Sequence, residues 1–422
     1  MKCYIFINRT NVRIADKGKA VNPWRGMGLK MSDGAKTERE FERREEQFWL
    51  LTQSGPETPM GVLLRKFWHP VALSSEIMSG SARPIRIFGE DLTLYRGESG
   101  SPHLIGGRCA HRCTVLHTGL VSGDELSCMY HGWRYNSSGL CVDIPAEKRR
   151  RSMPPSIAAY PVYEYCGLIF AYLGKGSAPE FDLPRKAVFE DPKKLVIADK
   201  QTWDCNWFQH VENSLDAVHV SFAHLWGAVK QFGSSISASI PELSYSETDA
   251  GICQVATRSS ANVRISNWTF PNNNHVVAPG PRPSDPWLDV SAWPVPADDN
   301  HTVRFTLYAV DREWAEGIED IDGLFGLSYE PGDNAAELFG GRGIDHLSEL
   351  SLITAQDYVA MRGQGAIVDR MQENLSTSDA GVVFLRRLFM RELELVRQGK
   401  STKSWRSLKA APNMPVPEAA QV

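Results

Sequence analysis

The stretch of sequence that decides the fold is CAHRCTVLHTGLVSGDELSCMYH, residues 109–131. It contains two short pairs of metal-binding residues, Cys109 with His111 and Cys128 with His131. Each pair offers one thiol and one imidazole from a single loop. Two matched pairs among only 8 cysteines and 11 histidines are poorly explained as four unrelated buried residues. The stretch therefore predicts one metal centre held by two loops.

Two kinds of metal centre accept these four ligands. In a Rieske [2Fe–2S] cluster two imidazoles replace two thiolates on one iron, which raises the reduction potential. Zinc binds the same ligand types, but zinc fingers usually pair Cys with Cys and His with His. The pairing of Cys with His in each loop favours the cluster. Gly132 permits a tight turn after His131, and Trp133 can shield the cluster from water.

A second set of metal-binding residues lies in ENSLDAVHVSFAH, residues 212–224. Two histidines, His219 and His224, can form a facial triad with one carboxylate, the usual site of non-haem Fe(II). Asp216 precedes His219 by three residues, so we expect both on one helix face, with the carboxylate orienting the imidazole. His219 and His224 are five residues apart and can share a metal only if the helix ends, kinks or bulges between them. Taken alone, two histidines in such a stretch are more often ordinary core or surface residues than metal ligands.

The third ligand of such a triad must come from elsewhere in the chain, and spacing alone does not choose it. The candidate carboxylates are Asp345, Asp357, Asp369, Glu373 and Asp379.

Length and composition limit the number of domains, the kinds of partner and the cellular compartment. A chain of 422 residues predicts two domains. The net charge of −4 gives no broad electrostatic case for a nucleic-acid partner. No apolar run is long enough to cross a bilayer, and the apolar stretch of residues 3–7 is too short for a signal peptide. We therefore expect a cytoplasmic protein with reduced cysteines and no membrane partner.

The hydrophobic pattern predicts an α+β fold with several segments. Residues 1–36 have no clear period and are expected to be a weakly ordered extension, and residues 37–61 a helix and a turn. Short strands are predicted over 62–182, closed by a hairpin around Gly167. The second domain spans 183–410, followed by a frayed tail, 411–422. The segments expected within it are a helix over 200–228, strands over 240–312 and helical structure over 346–398.

Three motifs resemble one family, the Rieske non-haem iron ring-hydroxylating oxygenases. CAHR followed by CMYHGWRYNSSGLCVDIPAE is similar to the family's Rieske domain. The pattern N-x-x-D-x-x-H-x-x-x-x-H, which begins at Asn213, is similar to its iron motif. QDYVAMRGQGAIVDRMQENLSTSD resembles a block of the phthalate dioxygenase-like branch in which the Asp after Gln binds iron, and this resemblance selects Asp357. Respiratory Rieske proteins staple their two loops with a disulfide, but no cysteine stands beside Cys128, so we expect Cys113 to be a free thiol.

The resemblance implies a fold, cofactors and site residues. The fold is a β-rich Rieske [2Fe–2S] domain joined to a helix-grip catalytic domain with an antiparallel sheet. Cys109, His111, Cys128 and His131 would hold the cluster. The ligands of a mononuclear Fe(II) would be His219, His224 and Asp357, with Asp216 catalytic between the two metal sites and Asn213 supporting them.

The resemblance also implies partners and a reaction. Related oxygenases are homotrimers or stacked trimers, and the cluster that feeds each iron belongs to the neighbouring subunit. The chain contains no nicotinamide or flavin motif, so a separate NAD(P)H-dependent reductase of flavin or ferredoxin type is required. The substrates would be O₂ and a small aromatic molecule.

Four functions remain open at this point. The leading prediction is hydroxylation of an aromatic ring, and the second is a monooxygenase that removes O- or N-methyl groups. An electron-transfer protein with only the Rieske cluster and a redox-silent zinc protein are the others. Arg258, Arg264 and Arg304 lie in the strand-rich region and can pair with a substrate carboxylate or sulfonate, or else lie on solvated strand faces.

Overall fold

A computed structural model describes residues 34–148, 153, 155–224, 239–259, 262–282, 284–327, 329–332 and 347–405. Contacts divide the chain into residues 1–44 and one compact unit, residues 45–422. The helices are α1 Gly34–Thr52, α2 Pro59–Leu64, α3 Trp207–Ser214, α4 Arg312–Glu316, α5 Ile321–Phe325, α6 Glu349–Gly363 and α7 Ala380–Arg397. No described helix is both long and apolar enough to cross a membrane.

The strands before residue 175 form three small antiparallel sheets. Their orders are β1-β11-β10, β2-β3-β4-β9 and β5-β6-β7-β8. The strands are β1 Trp68–Leu73, β2 Ser81–Ile87, β3 Glu90–Arg96, β4 Pro102–Gly106, β5 Leu120–Ser122, β6 Glu125–Ser127, β7 Arg134–Tyr135, β8 Cys141–Asp143, β9 Ala159–Tyr160, β10 Val162–Tyr165 and β11 Leu168–Tyr172. The predicted hairpin is confirmed: β10 and β11 pair around Cys166 and Gly167, which both have positive φ.

The strands after residue 190 form one antiparallel sheet in the order β12-β18-β17-β16-β15-β14-β13. They are β12 Lys194–Trp203, β13 Glu242–Glu247, β14 Gly251–Ser259, β15 Asn262–Thr269, β16 Asn273–Ala278, β17 Leu288–Pro296 and β18 Thr302–Asp311. Helices α3 and α6 contribute to a cavity that alternate residues of β15 to β18 line from the sheet side. This is the helix-grip arrangement that the sequence predicts.

The prediction of a helix over 200–228 is wrong at its start. Residues 200–203 end strand β12, which pairs with β18 along its whole length. The inward positions of β12 alternate as Ile197, Asp199, Gln201 and Trp203, all buried. Two polar residues at inward positions conceal the period of two from a reading of hydrophobicity. Helix α3 is shorter than predicted, and residues 225–228 lie outside the described part.

Two further boundaries differ from the prediction. Helix α1 already begins at Gly34, inside the segment expected to be weakly ordered. The helical segment over 346–398 is two helices, because the chain leaves α6 at Gly363 and turns at Gly365, whose φ is +103°. Asp369 and Glu373 therefore do not lie on a helix face. Residues 1–33 and 406–422 lie outside the described residues, and the expected domain boundary between 182 and 183 stays a prediction.

Candidate metal centres

The two Cys/His loops adopt matching turns. In the first, Cys113 N–H donates to the Cys109 carbonyl over 2.9 Å, and in the second Gly132 N–H donates to the Cys128 carbonyl over 2.9 Å. The residues at these turn positions have positive φ, +59° at Cys113 and +73° at Gly132. The expected role of Gly132 in the turn is met. The expected free thiol is also found, because Cys113 is exposed and unbridged.

The loops bring the four predicted ligands to one end of the small sheets. Cys109 and Cys128 are buried, with 2% and 3% exposure. His111 and His131 are exposed, and their ring centroids are 4.5 Å apart. The two buried thiols therefore interact with each other, and the two exposed imidazoles contact each other. The donor set fits a cluster in which one iron is held by sulfur and the other by nitrogen.

Two aromatic residues support these ligands. The Tyr135 hydroxyl accepts the Ala110 N–H over 3.0 Å and lies 3.2 Å from Cys109 Sγ. When Cys109 is a thiolate it has no proton to give, and the hydroxyl is then the donor of this hydrogen bond. The Trp133 ring stacks on His111 at 4.6 Å with an interplanar angle of 5°. Burial raises the pKa of the Cys128 thiol, which disfavours a thiolate there without a bound cation. Tyr135 could have been noticed in the sequence only by its position two residues after Trp133.

Helix α3 ends before the second set of ligands. Its first turn is capped by Asn206, whose side-chain oxygen accepts the Phe208 N–H. After Ser214 the Asp216 Oδ1 accepts the backbone N–H groups of Val218 and His219 at 3.1 and 3.3 Å. An Asp side chain that binds nearby backbone N–H groups competes with helix formation. Asp216 and His219 therefore share a turn instead of the predicted helix face.

This break lets His219 and His224 converge, as their spacing requires. His219 begins a short 3-10 turn and His224 follows it. His219 Nε2 and His224 Nε2 lie 3.6 and 3.4 Å from the same atom, Asp357 Oδ1 in α6. One ligand atom from each of the three residues lies within 4.8 Å of the others. Asp357 Oδ1 is buried without a hydrogen-bond donor, which is what a site that accepts a cation requires.

The other candidate carboxylates do not join this group. Asp369 is exposed and bonds Gln372, Glu373 pairs with Arg386, and Asp379 bonds the Ser376 N–H. Asp345 lies outside the described residues. Of the described candidates, only Asp357 is placed with the two histidines.

Residues around the triad orient it. His224 Nδ1 lies 3.1 Å from Gln356 Oε1, which leaves Nε2 free for a metal. Asp216 Oδ2 lies 3.9 Å from His219 Nδ1, and its side chain is 32% exposed. Asp216 and Asn213 both line the cavity beside the triad. Gln356 was missed as a separate residue, although it is the Gln of the QD pair in the sequence.

Helices α3 and α6 are tied together behind the site. Gln209 Nε2 donates to the Met361 carbonyl over 2.8 Å and its Oε1 accepts the Val368 N–H. Glu212 pairs with the guanidinium of Arg370, whose side chain is fully buried. Arg386 bridges Glu212 to Glu373. Arg370 is buried because the backbone after α6 folds onto α3.

The triad opens into a cavity of about 200 Å³. Its sheet side consists mainly of small apolar residues of β16 and β17, and Arg264 and Arg304 also line it. Arg258 is absent from its walls. Burial and the neighbouring Arg258 lower the pKa of Arg264 to about 10, so its guanidinium is still charged at neutral pH. Of the three arginines singled out in the sequence, two therefore face the site.

Residues 67–161 match the model of the Rieske [2Fe–2S] domain family. A second comparison decides the family of the whole chain. The protein is 32% identical to the oxygenase subunit of 5,5'-dehydrodivanillate O-demethylase of Sphingobium sp., an alignment that spans 85% of this chain and 82% of the relative. The chain is a Rieske non-haem iron oxygenase.

This Rieske oxygenase is also similar to members with other reactions. It is 27% identical to the oxygenase subunit of phthalate 4,5-dioxygenase of Pseudomonas putida, over 84% of this chain and 87% of the relative. Its fold matches that of NdmA of Pseudomonas putida CBB5, with a TM-score of 0.62 over 79% of this chain and 92% of that one, at 21% identity. The family carries a [2Fe–2S] cluster and a mononuclear iron, and its members are oxidoreductases that incorporate oxygen. The zinc and electron-transfer alternatives are thereby excluded.

Proposed function

We propose that this Rieske oxygenase hydroxylates a small aromatic substrate in a catabolic reaction. The observation that carries the proposal is the triad of His219, His224 and Asp357 at the wall of an enclosed, largely apolar cavity. The cavity of about 200 Å³ exceeds the engineered cavity of about 150 Å³ that binds benzene. A single substituted ring therefore fits beside the triad.

The roles of the chain's residues follow from their placement. Cys109, His111, Cys128 and His131 would hold the cluster, and His219, His224 and Asp357 the iron. When bound, the two groups supply one-electron transfer and the activation of dioxygen. Gln356 keeps His224 in the orientation that offers Nε2 inward, and Asp216 does the same for His219. The small apolar residues of β16 and β17 exclude water and support a flat ring.

Electrons would reach the iron through a neighbouring subunit. His131 is exposed on one face of the chain, and Asp216 keeps a third of its side chain exposed beside the triad. Both groups are therefore accessible to another copy of the chain. We propose that Asp216 bridges His219 to the His131 of that copy, within a homotrimer or a stacked pair of trimers. A separate NAD(P)H-dependent reductase would reduce the cluster.

A specific observation favours a second candidate, removal of a methyl group. The 32% identical relative is an O-demethylase, and the same triad and cavity serve either reaction. The products separate the two functions: dihydroxylation of the ring gives a cis-diol, whereas demethylation gives formaldehyde with a phenol or an amine.

The test supplies the purified oxygenase with a reductase, NADH and a panel of aromatic acids, aryl methyl ethers and N-methyl compounds. We expect one compound to couple O₂ uptake to a product that contains the added oxygen. A protein with intact cluster and iron that consumes O₂ with none of the aromatic compounds would contradict the proposed substrate class.

A further inference from the structure

One end of the cavity lies a single helical turn from the iron ligand Asp357. Asp357 and Met361 are four residues apart on α6, a rise of about 6 Å, and both line the cavity. Met361 packs in one buried cluster with Trp203. The His210 ring lies 4.2 Å from Trp203, in an edge-on arrangement. Trp203 and His210 therefore close the cavity on the side of Met361.

A guanidinium enters this end from the sheet. Arg304 lies on β18 opposite Pro294 of β17, and both line the cavity. His210 is buried, which lowers its pKa well below the usual range, and the charge of Arg304 lowers the pKa further. Arg304 and His210 both line this cavity, so the guanidinium and the neutral imidazole face the same space.

Arg304 has no anionic partner in the part of the chain that the structure describes. No ion pair or side-chain hydrogen bond of Arg304 is found there. The nearest carboxylate in register on β12 is Asp199, which lies opposite Thr306 and whose charge acts on Tyr308. The triad aside, Asp216 is the one further carboxylate that lines the cavity among the described residues. A cation in an apolar cavity without a counter-charge is costly, and a bound anion would offset that cost.

Two more polar atoms at this end lack partners. Trp203 Nε1 and His210 Nε2 are buried and form no hydrogen bond, in side chains that are 0% and 6% exposed. An indole Nε1–H can only donate, and a neutral imidazole donates from one nitrogen. Unsatisfied buried donors cost free energy that a ligand acceptor can recover. Arg304 and Trp203 thus bring donors to the end of the cavity where a ring beside Asp357 would end, and His210 Nε2 is a third donor in the tautomer that carries its proton there.

We propose that Arg304, His210 and Trp203 form a subsite for the carboxylate of an aromatic acid, with the ring between this subsite and Asp357. The inference rests on the proposed function, because it names the class of the aromatic substrate. The ring would lie on Val290, Ala292 and Pro294 of β17. Arg264 lies on β15, where its charge acts on His224, and is the rival anchor in the same cavity.

The test compares benzoate with benzamide, which has the same shape and no charge. Binding to the oxidised holoenzyme is measured by calorimetry, without reductase, so no turnover is needed. We expect the wild type to prefer benzoate. Arg304→Met should weaken benzoate binding about tenfold to a hundredfold, because a charge-assisted hydrogen bond is lost, and should leave benzamide binding nearly unchanged. Trp203→Phe removes the Nε1–H together with part of the indole ring and should weaken benzoate binding about threefold or more, with benzamide binding as the measure of the lost ring packing.

Matched arginine variants make the test specific. Arg264→Met removes the rival charge in the cavity, and Arg258→Met removes a neighbouring charge outside its walls. Both should retain the preference for benzoate. Equal binding of benzoate and benzamide to the wild type, or loss of the preference in Arg264→Met with retention in Arg304→Met, would overturn the proposal.

Further measurements distinguish a failure of the subsite from a failure to fold and from a failure of the proposed function. The Rieske absorption spectrum and the melting temperature show whether each variant folds. If Arg304→Met fails to hold its cluster, Arg304→Gln, which removes the charge but keeps a polar side chain, and Trp203→Phe decide, and unchanged benzoate binding in both would refute the subsite. Oxidation of neutral aryl ethers in preference to acids would refute the subsite but support the oxygenase. Binding of benzoate through Arg304, together with no oxygenation of any aromatic compound in the panel, would support the subsite and contradict the proposed aromatic substrate.

Discussion

The two candidate metal centres are built in opposite ways. The four predicted cluster ligands lie within residues 109–131, on two loops with matching turns. The iron triad joins two distant segments, since His224 and the neighbour of Asp357, Gln356, are 132 residues apart in sequence. The cluster site thus depends on local turns, whereas the iron site depends on how α3 packs against α6. Changes in packing should therefore impair the iron site first.

The largest expected effect is the loss of one metal centre while the other stays intact. His224→Ala should abolish turnover and the bound mononuclear iron, because two of the three ligands cannot retain the metal at the same affinity. The Rieske absorption and its reduced-state EPR signal should remain. Iron content per protomer and the EPR spectrum measure both outcomes. Asp369→Ala is the control and should keep its iron; loss of iron in Asp369→Ala but not in Asp357→Ala would show that the carboxylate is misassigned.

Asp216→Asn should disconnect the centres without emptying either one. The substitution preserves size but removes the charge and one acceptor. We expect both metals to stay bound and the cluster to remain reducible. Oxidation of the cluster in a single turnover should slow by about a hundredfold or more, if the bridge supplies a few kcal/mol to the transfer. Cluster oxidation at the wild-type rate in this variant, or full activity in a verified monomer, would contradict the bridging role.

A change behind the iron site should test its dependence on packing. Arg370→Met leaves the buried Glu212 with only Arg386 as a partner. Breaking a buried ion pair costs about 3–5 kcal/mol. We expect iron to be lost at lower urea concentration than in the wild type, while the Rieske absorption persists. Arg397→Met, which removes an exposed pair with Glu394, should leave the urea concentrations at which iron and cluster are lost unchanged, because solvent screens this pair. Loss of iron and cluster at the same urea concentration would contradict the inference that the iron site depends on the packing of α3 against α6 and the cluster site does not.

The smallest expected effect concerns the cluster alone. Tyr135→Phe removes the hydroxyl proton directed at Cys109 Sγ. A donor at this sulfur stabilises the more negative reduced state, so its loss should lower the reduction potential. About 1 kcal/mol for one hydrogen bond corresponds to about 40 mV for a one-electron couple. Tyr130→Phe alters an exposed ring and should leave the potential unchanged. An unaltered reduction potential in Tyr135→Phe would show that this hydrogen bond does not affect the cluster.

Two groups of buried polar residues are not recognisable from the hydrophobic pattern of the sequence, and for the same reason. Asp199 and Gln201 occupy inward positions of β12, so the strand does not show the hydrophobic alternation by which strands are recognised. Arg370 is a charged residue that nothing near it in the sequence marks as buried, yet it is buried against Glu212 on α3. In both cases a polar residue is buried because a distant segment covers or pairs with it. The hydrophobicity of neighbouring residues does not reveal a contact with a segment that is distant in sequence.

By itself the sequence determined the ligand types, the two Cys/His loops and the need for a break between His219 and His224. These features are local, because turns and chelating pairs are set by residues close together in the chain. Only the tertiary structure decided which residues meet. The family resemblance selects Asp357 among the carboxylates, but its contact with the two histidines, and the position of Arg304 in the cavity wall, are seen only in the folded chain. Such contacts depend on the packing of α3 and α6 against the sheet, which short-range sequence patterns do not specify.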